Sequence, residues 1–258
     1  MLDFSTWCEF AEFDVGDHEL TIMTAQTQQL AIGCALVAEL VPDHYASEEH
    51  IARALERLGK QAAADFIREK LPTTKNIRSG DLGEILATEY IDTHTDCTVP
   101  IKRLRWKDHR NMAMRGDDVI GLRLNAQTHR LRFLKAESKS RVALTTAVVA
   151  EARDALNKDG GLPSPHALSF VSARLLEVDE TDLCDAIDDA QLKYGIPINS
   201  VTHLLFTFSG NDPADFLEAS LNACSEEIAQ LGVGLQVIGH GAFVAEVYDQ
   251  VIANALDD

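Results

Sequence analysis

The chain has 258 residues, enough for one large domain or two small ones and for a sizeable buried core. Its 46% hydrophobic and 25% charged content is that of an ordinary globular protein and excludes a chain disordered throughout; its net charge of −18 excludes attraction to nucleic acid over the surface as a whole. Five scattered cysteines (Cys8, Cys34, Cys97, Cys184 and Cys224), with no C-x-x-C pair, argue against a disulfide framework or structural zinc and for a reducing compartment.

The first residues, MLDFSTWCEFAEFD, are acidic and lack the basic start and apolar run of a secretory signal, so a cytoplasmic protein is expected. Residues 1–45 read as mixed. HELTIMTA (18–25) has the character of a strand, and 28–41 reads as a helix stopped by Pro42. Its apolar part, LAIGCALVAELV (30–41), carries Glu39 and is too short for a bilayer, so burial rather than membrane contact is expected. Residues 47–71 form the clearest helix, capped by Ser47 and followed by Pro72. Residues 73–80 read as a loop and 81–94 as a second helix with Ile85, Leu86 and Tyr90 inward. A strand is expected at 97–106 and a connection over 107–116. Two alternating runs, 117–124 and 130–139, are joined by NAQTH as a hairpin. A helix over 140–161 ends at two glycines. Then come helices near 166–176 and 180–194, a strand at 201–209, a helix near 213–231, a strand at 234–239 and a helix at 242–256. The order predicts an α/β fold with a mixed β-sheet flanked by helices, divided into an N-terminal helical or mixed region (1–75) and a main domain (76–258).

Charge is unevenly placed. Residues 102–141 hold 12 of the 23 Lys and Arg against four acids, Asp108, Asp117, Asp118 and Glu137. A polyanion is expected to land on this basic window; the competing reading is that it docks onto the acidic remainder of the same chain. A hairpin centred on Gln127 and Thr128 places Asp118 opposite Glu137, with side chains roughly 5 Å apart at Cβ. Lys139 follows on the same face. A one-residue slip substitutes Asp117, but alternation favours Asp118, which is in phase with Ile120, Leu122 and Leu124. Two such carboxylates repel unless a cation lies between them, and Mg²⁺, with its preference for hard oxygen ligands, suits the gap. A lysine beside them can orient water or neutralise charge on a transferring phosphate.

RGDDVIGL followed by LKAESKS resembles the G-x-D…E-x-K pattern of the PD-(D/E)xK nuclease superfamily. The longer run from GDLGEIL through PIKRLR and RGDDVIG to ESK (80–139) resembles the family of A proteins of the Hachiman anti-phage defence system. The resemblance implies a restriction-endonuclease-like core in the main domain. It implies Asp118 and Glu137 as ligands of Mg²⁺ (with Mn²⁺ able to substitute), Lys139 as the catalytic lysine, and Glu84 as a further site and metal residue. It also implies a superfamily 2 helicase partner and DNA as substrate. With no base-reading element in the chain, little sequence preference is expected.

Structural readings compete at each point. Asp81 and Glu84 have capping-box spacing, and Asp117 suits a turn after Gly116. Glu137 and Lys139 alone read as a surface ion pair. Lys102, Arg103, Arg105, Lys107 and Arg110 suit either a nucleic-acid backbone or an acidic partner subunit. VIGHGAF (237–243) reads as a tight turn, the acidic run 177–189 as a solvated face, and His203 as a core histidine. The alternative function is a non-catalytic adaptor that binds or restrains a helicase; a stand-alone endonuclease is a third.

Overall fold

The structure, a computed structural model, describes residues 1–224 and 227–257. Six strands form one mixed sheet in the order β1-β2-β6-β5-β4-β3. They are β1 (Cys8–Val15), β2 (His18–Ala25), β3 (Val119–Leu124), β4 (Leu131–Arg141), β5 (Val201–Ser209) and β6 (Ala229–Gln236). The hairpins β1–β2 and β3–β4 are antiparallel, and the inner pairings β2–β6, β6–β5 and β5–β4 are parallel. β5 is a near-continuous apolar run buried on both faces, as a central parallel strand requires.

Nine α-helices are described: α1 (Leu30–Tyr45), α2 (Glu48–Leu58), α3 (Lys60–Lys70), α4 (Lys75–His94), α5 (Thr146–Leu156), α6 (Pro165–Glu177), α7 (Thr181–Asp189), α8 (Ala214–Asn222) and α9 (His240–Asp257). On one face of the sheet, α1, α4 and α9 bury Met23, Leu134, Ala136, Phe206 and Leu235. On the other, α5 and α8 cover Leu20, Ile22 and Leu205, and α6 and α7 cover Ile120, Leu122, Leu131 and Phe133. No helix among the described residues is long and apolar enough to cross a membrane. The strands drawn from residues 8–25 belong to the same sheet as those from 119–236.

Several elements differ from the sequence reading. β1 was hidden in the mixed N-terminal segment; it pairs with β2 across the two-residue turn Gly16–Asp17, where Gly16 adopts φ +61°. α1 runs through Pro42 instead of stopping there, because Tyr45 in its last turn bonds Asp81 (2.7 Å) and Tyr248 (3.0 Å). Residues 47–71 split into α2 and α3 at Gly59, φ +83°. α4 begins at Lys75, so 73–80 is not a loop and Asp81 and Glu84 lie inside a helix, which removes the capping-box reading. Residues 97–106 are not a strand. They make one isolated bridge, Thr98 to Leu122, and a 3₁₀ turn at Arg103–Trp106, since their basic side chains turn to carboxylates elsewhere in the chain.

β4 continues to Arg141, which shortens the following helix to α5. The helix expected over 213–231 crosses residues 225 and 226, which lie outside the described residues; around them the chain forms α8 and β6. Two smaller expectations hold: Gly239 adopts φ +83° at the turn into α9, and His203 is a core residue whose Nε2 meets the Gly161 carbonyl at 2.7 Å.

Candidate active site

The β3–β4 ladder runs from Val119 opposite Ala136 to Leu124 opposite Leu131. One step further, Asp118 stands opposite Glu137, in the register expected from alternation. The Asp118 Oδ2 accepts a hydrogen bond from the Ser138 amide (3.0 Å), which ties it to β4. Lys139 Nζ donates to Glu137 Oε1 (2.8 Å) and to Glu151 Oε1 on α5 (3.1 Å). Asp118, Glu137 and Lys139 therefore come together at the end of the β3–β4 hairpin, on the sheet edge that β3 forms.

The aspartate doublet divides its work. Asp117 Oδ2 accepts from the Ser164 amide (2.7 Å), and its Oδ1 lies 3.5 Å from the buried Lys135 Nζ. Asp117 is thus the anchor for the start of α6 and the counter-charge for Lys135. Lys135, which interrupts the apolar face of β4, also donates to the carbonyls of Lys158 (3.1 Å) and Leu162 (2.9 Å).

Glu84 arrives from α4, on the opposite face of the sheet. α4 lies close to β4 at Gly83, where a Cβ would stand 2.9 Å from Ser138 Oγ and 3.1 Å from Ser140 Cβ. Glu84 Oε2 accepts from Arg103 Nε (3.1 Å), and Arg103 Nη2 lies 3.7 Å from Asp118 Oδ1. Three of the four expected residues, Asp118, Glu137 and Lys139, come together, and Glu84 is joined to them only through Arg103.

Burial dominates the electrostatics. It pushes Glu84 up to about 8, with Asp118 and Asp81 adding to the rise against the pull of Arg103. Glu137 rises to about 7, first from burial and then from Asp118. Asp118 is raised too, burial outweighing Arg103 and the Ser138 amide. For Lys139, burial favours the neutral amine, but hydrogen bonds to Glu137 and Glu151 win and hold its pKa above the ordinary value. Lys139 is therefore an ammonium at neutral pH, suited to stabilising negative charge and not to taking a proton.

The hard oxygen donors of Asp118 and Glu137 fit a Mg²⁺ ion, which is commonly held by one or two carboxylates with water and substrate phosphate completing the shell. Glu84 does not fit as a direct donor in this arrangement, since its carboxylate is taken by Arg103. Among the described residues no group of three or more His, Cys, Asp or Glu is arranged to hold a metal ion.

Most of the basic window is turned inward. Lys102 pairs with Asp43 (2.6 Å), Arg105 with the same aspartate, Lys107 with Asp81 (2.6 Å), and Arg110 with the carbonyls of Arg68 and Glu69 (both 3.3 Å). The reading in which this window docks on the chain's own acids holds for Lys102, Arg105 and Lys107. Beside Asp118 and Glu84 lies a cleft of about 480 Å³, walled by Arg103, Trp106 and Phe170, with exposed Arg115 and His166 on its rim. Arg103 and Glu151 were not legible as site residues, because each reaches the site from a different element and no local spacing marks it.

The molecule is thus a mixed α/β protein with a half-buried acid–acid–lysine cluster at one sheet edge. Similarity to known proteins extends along nearly its whole length. The model of the HamA family matches residues 3–251. Hachiman protein HamA of Bacillus cereus is 25% identical over 262 residues, covering 99% of this chain and 93% of that protein. The chain belongs to the HamA family.

Proposed function

We propose that this chain is the nuclease subunit of a Hachiman-type anti-phage defence system, with a restriction-endonuclease-like core of the PD-(D/E)xK superfamily. The observation that carries the reading is the convergence of Asp118, Glu137 and Lys139 on one patch, in the order of the D…E-x-K pattern. Asp118 and Glu137 would hold Mg²⁺, or Mn²⁺ in its place. Bound there, the ion would polarise a phosphoryl oxygen and lower the pKa of a coordinated water.

Lys139 keeps its proton and offers it to developing phosphate charge, while Glu151 and Glu137 fix its amine. The Ser138 amide orients Asp118. The cleft beside Asp118, with Arg115 and His166 on its rim, suits DNA as the substrate, and the chain offers no base-reading element. Because Lys102, Arg105, Lys107 and Arg110 are engaged within the chain, much of the grip on DNA falls to a partner. The Hachiman relative supports a defence complex, and we assign the partner's role to a superfamily 2 helicase.

The test is cleavage of DNA by the chain with its helicase partner and Mg²⁺. Glu137→Gln and Lys139→Met are each expected to lose about a hundredfold or more in rate. Parent-like rates in both variants would remove the assignment.

A second reading, a non-catalytic adaptor that restrains the helicase, is favoured by the salt-paired state of Glu84 and Glu137. It requires that Mn²⁺ give no thermal stabilisation that Asp118→Asn abolishes.

A further inference from the structure

Arg103 has no role in the function proposed above, yet it is among the most constrained side chains of the site. Its Nε donates to Glu84 Oε2 (3.1 Å), and its Nη1 donates to the Arg115 carbonyl (3.5 Å) and to that of Asp117. Its Nη2 is buried, makes no hydrogen bond, and lies 3.7 Å from Asp118 Oδ1. The backbone carbonyls fix the planar guanidinium, so its charge is held between two carboxylates and does not swing freely.

A cation in that place has two consequences. It occupies Glu84, which otherwise would be available as an oxygen donor near Asp118. It also sets a positive charge beside one of the two remaining carboxylates, which opposes the arrival of another cation.

We infer that Arg103 is a resident cation of the carboxylate site: it claims Glu84, stands where a second divalent ion would bind, and leaves a single metal seat between Asp118 and Glu137. The inference rests on the reading of Asp118 and Glu137 as metal ligands. Arg103 is on this account a positioning residue that sets how many ions the site takes and how tightly.

Calorimetric titration of the full chain with Mn²⁺ tests it without recourse to cleavage. The parent is expected to bind one ion. Glu84→Gln should leave its affinity within about twofold, because Glu84 is already engaged. Arg103→Met should raise affinity about tenfold or add a second ion, and adding Glu84→Gln to that variant should remove the part of the gain that the freed Glu84 supplies. Arg103→Lys, which keeps the charge, should stay near the parent. An Arg103→Met variant with parent affinity and stoichiometry overturns the inference, as does a loss of about tenfold in Glu84→Gln alone. The latter result decides the matter if Arg103→Met fails to fold. Parent-like binding by Asp118→Asn instead overturns the reading of the ligands themselves, and this inference with it.

Discussion

Gly83 on α4 faces Ser138 on β4 so closely that a methyl group at Gly83 would stand 2.9 Å from the Ser138 hydroxyl. That hydroxyl is buried and has no hydrogen-bond partner. The contact sets how near α4 comes to the sheet, and so where Glu84 meets Arg103. Gly83→Ala is expected to cost about 1–3 kcal/mol from overpacking, offset by about 1 kcal/mol of helix propensity. Ser138→Ala removes the crowding atom without breaking a bond. It should be neutral or stabilising alone and should restore Gly83→Ala, a non-additivity that thermal unfolding of the double mutant measures.

The two aspartates at 117 and 118 should separate cleanly in experiment. Asp117→Ala leaves the buried Lys135 without its counter-charge and the start of α6 without its anchor, and should destabilise the protein by about 3–5 kcal/mol. Asp118→Asn keeps the shape and removes a charge that is costly to bury, so it should fold as stably as the parent or better. It should lose the response to Mn²⁺. Denaturant unfolding with and without Mn²⁺ gives both quantities.

Glu137 makes the site sensitive to pH. Its folded-state pKa, about 7, lies above the ordinary glutamate value of 4.5. Between those values the folded state binds more protons than the unfolded one, so the contribution of Glu137 to stability is full below pH 4.5 and is lost as pH rises through about 7. In the absence of divalent cation, Glu137→Gln should therefore raise the melting temperature at pH 8 more than at pH 5. A cation needs the ionised form, so Mn²⁺ affinity should climb with pH up to about 7 and then level off.

Glu151 offers a contrast. It is on the exposed end of the Lys139 pair, with 64% of its side chain accessible. Glu151→Gln should change stability by under about 0.5 kcal/mol. Its effect should appear as a modest fall in cleavage rate, from a less firmly held Lys139, measured against Lys139→Met in the same assay.

What could be read from the residues was local. The register of the β3–β4 hairpin follows from alternation and a short loop, and it carried Asp118, Glu137 and Lys139 to one place. Strands β2 and β5 were legible at their boundaries for the same reason. What escaped depends on contacts between distant residues. The carboxylate that Arg103 holds is nineteen positions away on a helix that covers the other face of the sheet. Lys102 and Arg105 find Asp43, and Lys107 finds Asp81, so of the two readings open for this basic stretch, a nucleic-acid surface or a dock on the chain's own acids, the second holds for these residues, but which acids they meet was not legible. Pro42 sits inside a helix because Tyr45 is tethered to Asp81 and Tyr248.

The central claim is spatial, and anomalous diffraction from crystals grown with Mn²⁺ tests it most directly. The account predicts a peak roughly 2.2 Å from one carboxylate oxygen of Asp118 and one of Glu137, with Lys139 alongside. Crystals whose strongest peaks lie elsewhere, with both carboxylates bare of metal at saturating Mn²⁺, would contradict it.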